Sequence, residues 1–256
     1  MATSAPAAAT LDFHCNICGE ETRACPQELI DREVASCATC GSTVRGRSVV
    51  HLLSVALFGR SLAISDFPPA PKFSGIGLSD WHVMAEQLSA KLDYVNTFID
   101  REPRLDITRV ADHPRRYDFL ISSEVFEHVP PPVSRAFDGA FTLLKPGGHL
   151  ILTVPYRSDT VTLEHFPELD DYTIVQLTGG PVLVNRTADR RLQAFDSLCF
   201  HGGGGATLEM RVFGAADLED HLRQAGFRDI RFHGEHVLHW GIVQRRSQPI
   251  TARRPA

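Results

Sequence analysis

The sequence predicts an α/β fold, in which a mostly parallel sheet carries helices on both faces and follows a small N-terminal zinc-ribbon module. Two observations lead to this prediction. From about residue 60 onwards, short β-prone runs alternate with amphipathic helical segments, which is the pattern of an open, doubly wound sheet. Before that point, five of the six cysteines lie within the first 40 residues, and four of them form two Cys-x-x-Cys pairs. Such pairs are typical of metal-binding knuckles.

The composition is that of a globular protein without a strong electrostatic bias. Of the 256 residues, 43% are hydrophobic and 22% are charged, and the formal net charge is −5. This balance provides no overall basic field for nucleic acid. No apolar run reaches the roughly 18 residues that a membrane span needs. We therefore expect a cytoplasmic protein with no membrane partner. Nucleic acid is a less favoured partner, and the composition leaves the oligomeric state open.

Both ends of the chain are predicted to be disordered tails. Residues 1–10 are rich in alanine and have neither the basic start nor the apolar stretch of a signal peptide. Residues 246–256 are of low complexity and show no periodic pattern. Between the tails, we expect a zinc-binding module with a connecting helix over residues 11–58 and the sheet domain over residues 59–245.

The cysteine spacing predicts a structural zinc site in the N-terminal module. A glycine follows each Cys-x-x-Cys pair and would let the backbone turn back tightly beside the metal. Four thiolates form a closed tetrahedral site with no open position, so the metal should be structural rather than catalytic. The predicted ligands are Cys15, Cys18, Cys37 and Cys40. Cys25 lies alone between the pairs and is expected to be a spectator. Apolar residues at helical spacing over residues 48–58 predict the connecting helix.

Periodicity predicts the elements of the sheet domain in order. The predicted strands are residues 73–78, 94–99, 117–122, 149–154, 228–232 and 237–243. The predicted helices are residues 82–92, 133–144 and 218–225. Residues 61–65 are an alternative first strand, but residues 73–78 precede a helix and a second strand at ordinary spacing. Sheets of this kind bind ligands at the carboxyl ends of their strands, so we expect the functional residues directly after strands.

The first such motif is Gly75-Ile-Gly77-Leu-Ser79-Asp80, between a strand and a helix. Glycines here would let the backbone approach a ligand closely, and the helix start would offer N–H groups to an anionic group. The alternative is a tight turn in which Ser79 or Asp80 only caps the helix.

Two further motifs suggest side-chain chemistry. Asp106-Ile107 could hold an adenine, because the carboxylate would accept the exocyclic amine while the isoleucine packs on the ring. The alternative is an aspartate in a turn. His165 and His201 follow the predicted strand over residues 149–154 and are candidate general bases. Because the chain contains 12 histidines, a histidine placed in a loop by chance is the alternative for either one.

The longest motif is the run YDFLISSEVFEHV over residues 117–129, followed after a helix by LKPGG over residues 144–148. This block resembles the central region of class I S-adenosylmethionine-dependent methyltransferases of the type 11 kind, and the resemblance extends over about residues 60–245. It implies a Rossmann-like sheet of seven strands, S-adenosylmethionine as cofactor and methyl transfer as the activity. The residues implied in cofactor binding are Gly75, Gly77, Ser79, Asp80, Asn96, Thr97, Asp106, Ile107, Ser123 and Glu124.

The resemblance also implies which part of the cofactor each motif contacts. The glycine motif would meet the amino-acid end, Asp106-Ile107 the adenine, and Ser123-Glu124 the methionine and ribose side. The chain departs from the family in two places. Its glycine loop is a shortened form, and its second strand carries Asn96-Thr97 where the family has an acid for the ribose hydroxyls. Either residue could bond a hydroxyl, but without charge assistance.

Three functions are consistent with the sequence. Methyl transfer to a small-molecule or sugar acceptor is the favoured one. The first alternative is an RNA methyltransferase that uses the zinc module, with Arg45 and Arg47, to grip RNA. The second alternative is a non-catalytic zinc-ribbon interaction protein on a degenerate methyltransferase scaffold.

Overall fold

The computed structural model describes residues 10–158, 161–201 and 207–256. The expected N-terminal tail therefore lies outside the described residues, apart from Thr10. The helices of the described chain are α1 (Pro26–Ile30), α2 (Val44–Phe58), α3 (His82–Lys91), α4 (Ser134–Leu143) and α5 (Ala215–Gln224). Its strands are β1 (Leu11–His14), β2 (Glu21–Ala24), β3 (Ala70–Leu78), β4 (Leu92–Thr97), β5 (Tyr117–Ser123), β6 (Leu144–Thr153), β7 (Tyr156–Arg157), β8 (Leu163–Glu164), β9 (Asp171–Leu177), β10 (Gly180–Arg186), β11 (Leu192–Phe195), β12 (Phe200–His201), β13 (Thr207–Leu208), β14 (Arg211–Gly214), β15 (Arg228–Phe232) and β16 (Ile250–Arg253).

The central sheet has the strand order β15-β16-β6-β5-β3-β4. Strands β4, β3, β5 and β6 run parallel to one another. Strand β16 runs antiparallel to both β6 and β15. The predicted α/β class with a mainly parallel sheet is therefore confirmed, and β3 is the first strand of the sheet, as preferred from the spacing. The helices predicted over residues 82–92, 133–144 and 218–225 form as α3, α4 and α5 within a few residues of their expected bounds.

The strands of the sheet centre are buried because helices cover both faces. Phe119, Leu120 and Ile121 of β5 are consecutive and all fully buried, which is the run expected of a strand without a solvent face. Helix α4 packs closely on this layer: a Cβ at Gly139 would lie 1.9 Å from the carbonyl oxygen of Ile107. Only glycine permits this approach of a helix to a neighbouring loop.

The sheet has six strands in the described residues rather than the expected seven. Beyond β4, the chain makes only an isolated parallel bridge between Phe98 and Arg104, with no strand around it. The following segment contains prolines and turn residues, so it continues as turns to β5. A proline lacks the N–H that a ladder needs, which limits pairing at this edge.

The C-terminal end is ordered, so the expected tail over residues 246–256 is wrong. Strand β16 inserts between β6 and β15, and its alternate residues Ile250 and Ala252 are fully buried. A four-residue strand flanked by arginine and proline has too short an alternation to show in sequence. Pairing with a strand on each side stabilises it, and this pairing is a tertiary effect.

The expected final strand over residues 237–243 is also wrong. Its place is taken by a 3₁₀ turn, Leu238–Trp240, followed by Gly241 in the left-handed region at φ 61°. The carbonyl groups of Trp240 and Gly241 accept hydrogen bonds from the guanidinium of Arg47 in α2, at 2.8 and 2.9 Å. The β-prone residues of this segment are therefore used to dock the sheet domain on the N-terminal module.

The N-terminal module and the central sheet share one apolar core. Cys15 and Ile17 of the module belong to the same buried cluster as Leu88, Phe119 and Ile151 of the sheet domain. Helix α2 lies between them. Its N-cap residue is Thr43, whose side chain accepts a hydrogen bond from the Gly46 amide at 3.1 Å. The start of α2 is thus held by the module, while its body packs on the sheet.

The segment between β6 and β14 forms a smaller antiparallel layer. Strands β9, β10 and β11 make a three-stranded meander, and Phe166, Leu183, Leu208 and Met210 form a separate small core beneath it. This layer follows the carboxyl end of β6, which is the edge where ligands bind in such sheets. No helix among the described residues has the length and apolar character to cross a membrane.

Candidate cofactor, acceptor and metal sites

The central sheet has a topological switch point between β3 and β5, and the region outside the carboxyl ends of these two strands is called the crevice below. The chain enters the sheet at β3, continues to β4 on one side, and then crosses to β5 on the other side. At such a switch point the connections leave in opposite directions, and ligands bind outside the carboxyl ends of the two strands. Ser79-Asp80 follow β3 and Ser123-Glu124 end or follow β5, so these predicted cofactor residues lie at one edge of the sheet.

The two glycines of the first motif are explained by protein packing. A Cβ at Gly75 would lie 2.0 Å from Cζ of Phe119, and one at Gly77 would lie 1.9 Å from Oη of Tyr94. The space beside each glycine is thus filled by an aromatic side chain of a neighbouring strand. Because Gly75 and Gly77 of β3 have no side chain, β4 and β5 can pack close to β3.

Asp80 is buried at the end of this loop. One carboxylate oxygen accepts a short hydrogen bond from the Tyr94 hydroxyl, and the other, Oδ1, has no hydrogen-bond partner among the described residues. Burial raises the pKa of Asp80 to about 7, and the Tyr94 bond opposes that rise. Asn96 braces the same residue, because its amide group bonds both the N–H and the carbonyl of Asp80, at 2.9 and 2.8 Å.

The residues expected to replace the ribose acid are occupied by the protein. The Thr97 hydroxyl donates to the Gly77 carbonyl at 2.8 Å, and the Ser79 amide donates to the Thr97 carbonyl at 2.7 Å. Ser79 itself has φ 57°, in the left-handed region. Asn96 and Thr97 thus maintain the conformation of the loop after β3, and that loop positions Asp80.

The end of β5 is contacted by two arginines of the N-terminal module. The Ser123 hydroxyl accepts a hydrogen bond from Nη1 of Arg45 at 2.6 Å and bonds the Thr153 hydroxyl at 3.0 Å. Glu124, at φ 56°, pairs with Nη2 of Arg32 at 2.5 Å. Glu33 lies between the arginines and pairs with both. The module therefore forms one wall of the crevice.

Glu127 lies just beyond these residues and is 2% exposed. Its Oε2 has no hydrogen-bond partner among the described residues. Burial, followed by the charge of Glu124, raises the pKa of Glu127 well above its usual range. A buried carboxyl group with one unpartnered oxygen is costly, and a cationic ligand beside it would favour its ionised form.

S-adenosylmethionine fits this set of groups. Its sulfonium and its amino-acid end carry two positive charges and one negative charge, and the rest of the molecule is uncharged. At the strand ends, Asp80 Oδ1 and Glu127 Oε2 are buried polar atoms without partners in the described chain. The crevice also offers the guanidinium of Arg45 to a negative group.

The Asp106-Ile107 motif forms a turn whose apolar residue is buried. Oδ1 of Asp106 accepts hydrogen bonds from the amide and the hydroxyl of Thr108, at 2.9 and 2.7 Å. Ile107 is buried in the same apolar cluster as Leu78 and Phe126, which lie next to the crevice. The turn that was the alternative interpretation is present, and the Oδ2 atom of Asp106 has only Arg109 nearby, at 3.6 Å.

The two candidate bases, His165 and His201, meet at one carboxylate. Nε2 of His165 lies 2.9 Å from Oε1 of Glu209, and Nε2 of His201 lies 3.0 Å from Oε2 of the same residue. The Glu209 side chain is 10% exposed, whereas His201 is about half exposed at 51%. An enclosed carboxylate thus orients two more accessible imidazoles, as in general-base catalysis. Cys199 lies 3.3 Å from His201, and these two residues with Glu209 could also hold a metal ion.

This histidine cluster adjoins the crevice. The Met210 amide donates to the Glu127 carbonyl at 2.9 Å, and a ring nitrogen of His128 lies 2.9 Å from the Leu208 carbonyl oxygen. The imidazoles of His128 and His201 are 6.0 Å apart between centroids. The turn after β5 therefore connects the cofactor residues to the candidate bases.

Four charged residues of these sites were missed or were given another role in the sequence analysis. Glu209 is a single acid between Leu208 and Met210, and this pattern of a buried acid could have revealed it, whereas Glu127 lies between Phe126 and His128 and has a weaker signal. Arg32 has no such signal, and Arg45 was considered only for RNA. Both reach β5 across a long sequence separation, which only the tertiary structure defines.

The four predicted zinc ligands come together. Their sulfur atoms all lie within 4.8 Å of one another, with Cys15 3.7 Å from Cys40 and Cys18 3.8 Å from Cys37. Sulfur atoms on a tetrahedron around zinc at the usual bond length are about 3.8 Å apart. Cys25 is not part of this group and instead precedes α1, where its amide donates to Glu28 at 2.8 Å.

The surroundings of the cysteine cluster also suit a metal site. Ser42 Oγ lies 3.2 Å from Cys15 Sγ and accepts a hydrogen bond from Arg47 at 3.0 Å. Arg47 is fully buried, and its guanidinium makes five hydrogen bonds, to Ser36, Ser42, Trp240 and Gly241. The positive charge of Arg47 would offset the net negative charge of a divalent ion bound by four thiolates.

The fold and the strand-end crevice together define a methyltransferase-like α/β protein. The family model described as a methyltransferase domain matches residues 66–231, and the chain belongs to this family. Residues 66–231 are therefore a methyltransferase domain. The family match favours an enzyme over the non-catalytic interaction protein that was the second alternative.

Similar proteins include further methyltransferases. The chain is 34% identical to the ubiquinone biosynthesis O-methyltransferase of Marinobacter nauticus over 68 aligned residues. These residues make up 27% of this chain and 26% of that protein. The chain thus spans about a quarter of this curated relative. CalS10, an amino pentose methyltransferase from Micromonospora echinaspora, is 13% identical with a TM-score of 0.46, over 84% of this chain and 92% of that chain. The sugar N-methyltransferase KedS8 from Streptoalloteichus is 12% identical with a TM-score of 0.45, over 82% and 88%.

Proposed function

We propose that the protein transfers the methyl group of S-adenosylmethionine to a hydroxyl or amino group of a small-molecule or sugar acceptor at the carboxyl edge of its sheet. The main support is the crevice at the β3–β5 switch point, where Asp80 and Glu127 present buried oxygen atoms that lack partners in the described chain. When bound there, S-adenosylmethionine supplies an activated methyl group. Asp80 and Glu127 would hold its positive charges, and Ser123 and Glu124 would line its methionine and ribose side.

The adenine end is proposed to lie against the Asp106 turn. The Oδ2 atom of Asp106 is available to accept the exocyclic amine, while Ile107 provides an apolar surface beside it. Asn96 and Thr97 would act through the shape of the loop rather than by bonding the ribose themselves, because their side chains are engaged with Asp80 and Gly77.

The acceptor is proposed to bind between the crevice and the histidine cluster. Methyl transfer mainly requires that the acceptor atom is held in line with the methyl carbon. A hydroxyl or protonated amine must also lose a proton, and His201 or His165, each oriented by Glu209, is placed to take it up. A hydroxyl acceptor is in keeping with the printed name of the Marinobacter nauticus relative, which is an O-methyltransferase.

The cysteine cluster is proposed to hold one structural Zn²⁺. The sulfur separations match a tetrahedral site, and the four cysteines leave no open position for catalysis. A site that needs four reduced thiolates fits a cytoplasmic location, where thiols are kept reduced. We assign the zinc module to residues 11–58 and the catalytic domain to the remainder, extended at its end to include β16.

RNA methylation finds no support in the arginines that suggested it. Arg47 is fully buried and bonded to the protein, and Arg45 is directed to Ser123 and Glu33. Arg47 is therefore closed to a phosphate backbone, and the hydrogen bonds of Arg45 hold its guanidinium at the end of β5.

Calorimetry with S-adenosylhomocysteine tests the cofactor site. We expect saturable binding by the wild-type protein and weaker binding by Asp106→Ala. The absence of binding at millimolar ligand would contradict the proposed function, and an unchanged affinity of Asp106→Ala would contradict the position of the adenine.

Glu209→Gln tests the acceptor side, with radiolabelled methyl transfer to a panel of sugars and phenols as the assay. Because the neutral amide no longer orients and stabilises a protonated imidazole, we expect kcat to fall by about 10²- to 10⁴-fold. Binding of S-adenosylhomocysteine should stay unchanged. Glu168→Gln is the matched control, since Glu168 is exposed and pairs with Arg191. A Glu209→Gln enzyme with the wild-type kcat would exclude the cluster as the proton acceptor.

A further inference from the structure

The N-terminal module contributes two arginines to the cofactor crevice, and they differ in how many of their donors already have protein partners. Arg32 pairs with Glu124 and Glu33 and donates to the carbonyl of Ser247 at 2.6 Å. It thus has a carboxylate partner of its own and an anchor on the C-terminal segment. Arg45 has only Glu33, which it shares with Arg32, and the neutral hydroxyl of Ser123.

The guanidinium of Arg45 keeps donors available on the crevice side. Nε and Nη2 bond Glu33, at distances of 2.7 to 3.1 Å, and Nη1 bonds Ser123 at 2.6 Å. Of the five N–H groups of an arginine, one on Nη1 and one on Nη2 have no partner among the described residues. The side chain is 23% exposed, so a ligand at the end of β5 can reach it. The two η nitrogens of one guanidinium can donate together to the two oxygens of a carboxylate.

The carboxyl groups of the crevice can take the opposite charge: burial raises their pKa in the cofactor-free protein, and a bound ammonium group would favour their ionised form. Asp80 Oδ1 and Glu127 Oε2 are buried oxygen atoms without partners in the described chain, and Arg45 is close enough to both to affect their pKa values. A crevice with unpaired carboxylate oxygens and an underused guanidinium is complementary to a zwitterion. Within S-adenosylmethionine, only the α-amino carboxylate end carries both a positive and a negative group.

We infer that Arg45 of the N-terminal module binds the α-carboxylate of the amino-acid end of the cofactor, while the carboxylates at the ends of β3 and β5 face its ammonium group. This inference rests on the proposed function, since it requires S-adenosylmethionine in the crevice. It gives the cysteine cluster a direct role in binding. Cys40 precedes Arg45 by five residues, and Thr43 between them caps α2, so the metal site sets the position of Arg45.

The test combines a protein variant with a ligand variant in calorimetry. Wild-type protein and Arg45→Met are each titrated with S-adenosylhomocysteine and with its decarboxylated analogue, which retains the amine. A charge-assisted carboxylate contact predicts that wild type binds S-adenosylhomocysteine about 10- to 100-fold more tightly than the analogue. Arg45→Met should bind both ligands alike, at the affinity that wild type shows for the analogue. Arg23→Met is the control on the same module, because Arg23 is exposed on β2 and pairs only with Asp12.

The outcomes separate this inference from the proposed function. If wild type binds S-adenosylhomocysteine and Arg45→Met retains the full preference for it over the analogue, the inference is wrong and the proposed function stands. If wild type binds neither ligand, the proposed function fails as well. Should Arg45→Met not fold, the wild-type comparison still decides, since equal affinities for the two ligands would show that no group binds the carboxylate.

Discussion

The carboxyl group of Asp80 should make the stability of the cofactor-free protein depend on pH. The residue is 6% exposed, and burial raises its pKa from the usual 3.8 to about 7. A folded-state pKa above the unfolded one means that the folded protein binds this proton more tightly. The group therefore stabilises the fold fully below the unfolded pKa, and this contribution is lost as the pH rises through about 7.

The size of the effect follows from the two pKa values. Between them, the free energy of unfolding changes by about 1.4 kcal/mol per pH unit for one proton. From about pH 5 to about pH 8, most of which lies below the folded pKa of Asp80, the loss should amount to roughly 2–3 kcal/mol. Asp80→Asn keeps the shape and can still bond the Tyr94 hydroxyl, but it has no proton to lose, so it should remove this part of the pH dependence.

Urea unfolding of wild type and Asp80→Asn at about pH 5 and about pH 8 measures the difference. Histidines titrate in the same range, but they contribute equally to both proteins and cancel in the comparison. Asp12→Asn is the matched control because Asp12 is 71% exposed, and its pH dependence should equal that of wild type. If Asp80→Asn loses as much stability with rising pH as wild type does, then the carboxyl group is not protonated in the folded state and the reasoning fails.

Two further predictions concern the N-terminal module. Metal analysis should find one zinc per chain, which Cys40→Ser loses and Cys25→Ser keeps; a second equivalent lost by Cys199→Ser would show that the histidine beside it is a metal ligand rather than a base. Arg47→Met removes the donor from five buried hydrogen-bond acceptors. The free energy of unfolding, measured with urea, should therefore fall by about 3–5 kcal/mol. The exposed Arg23→Met should change it by less than about 0.5 kcal/mol, and equal effects of the two substitutions would contradict the role of Arg47.

Local sequence patterns were sufficient to predict an element or a site wherever it has a strong hydrophobic period or a fixed residue spacing. The buried run of β5 and the apolar stripe of α4 were predicted close to their observed bounds, because burial of a whole strand or of one helix face imposes a pattern on the residues themselves. The two cysteine pairs were sufficient for the metal site, since a two-residue gap brings both thiolates to one ion.

Prediction failed where partners far apart in sequence decide the structure. Residues 237–243 have the composition of a strand, but two of their carbonyl groups bond Arg47, which lies some 190 residues earlier. Strand β16 has only four residues, and it forms because β6 and β15 flank it on both sides. Propensity is a weak guide in such cases, since contacts outside the segment outweigh it.

The sequence by itself determined the α/β class and the cysteine cluster, because each depends on periodicity or spacing within a short stretch of chain. It indicated the methyltransferase family through the resemblance of residues 117–129 and 144–148. Only the tertiary structure decided what the cofactor residues contact. It engaged Asn96 and Thr97 with the loop after β3, brought His165 and His201 to one carboxylate, and placed Arg45 of the module against β5. These contacts join residues up to 78 positions apart, and such pairs meet only when the shared core of module and sheet has formed.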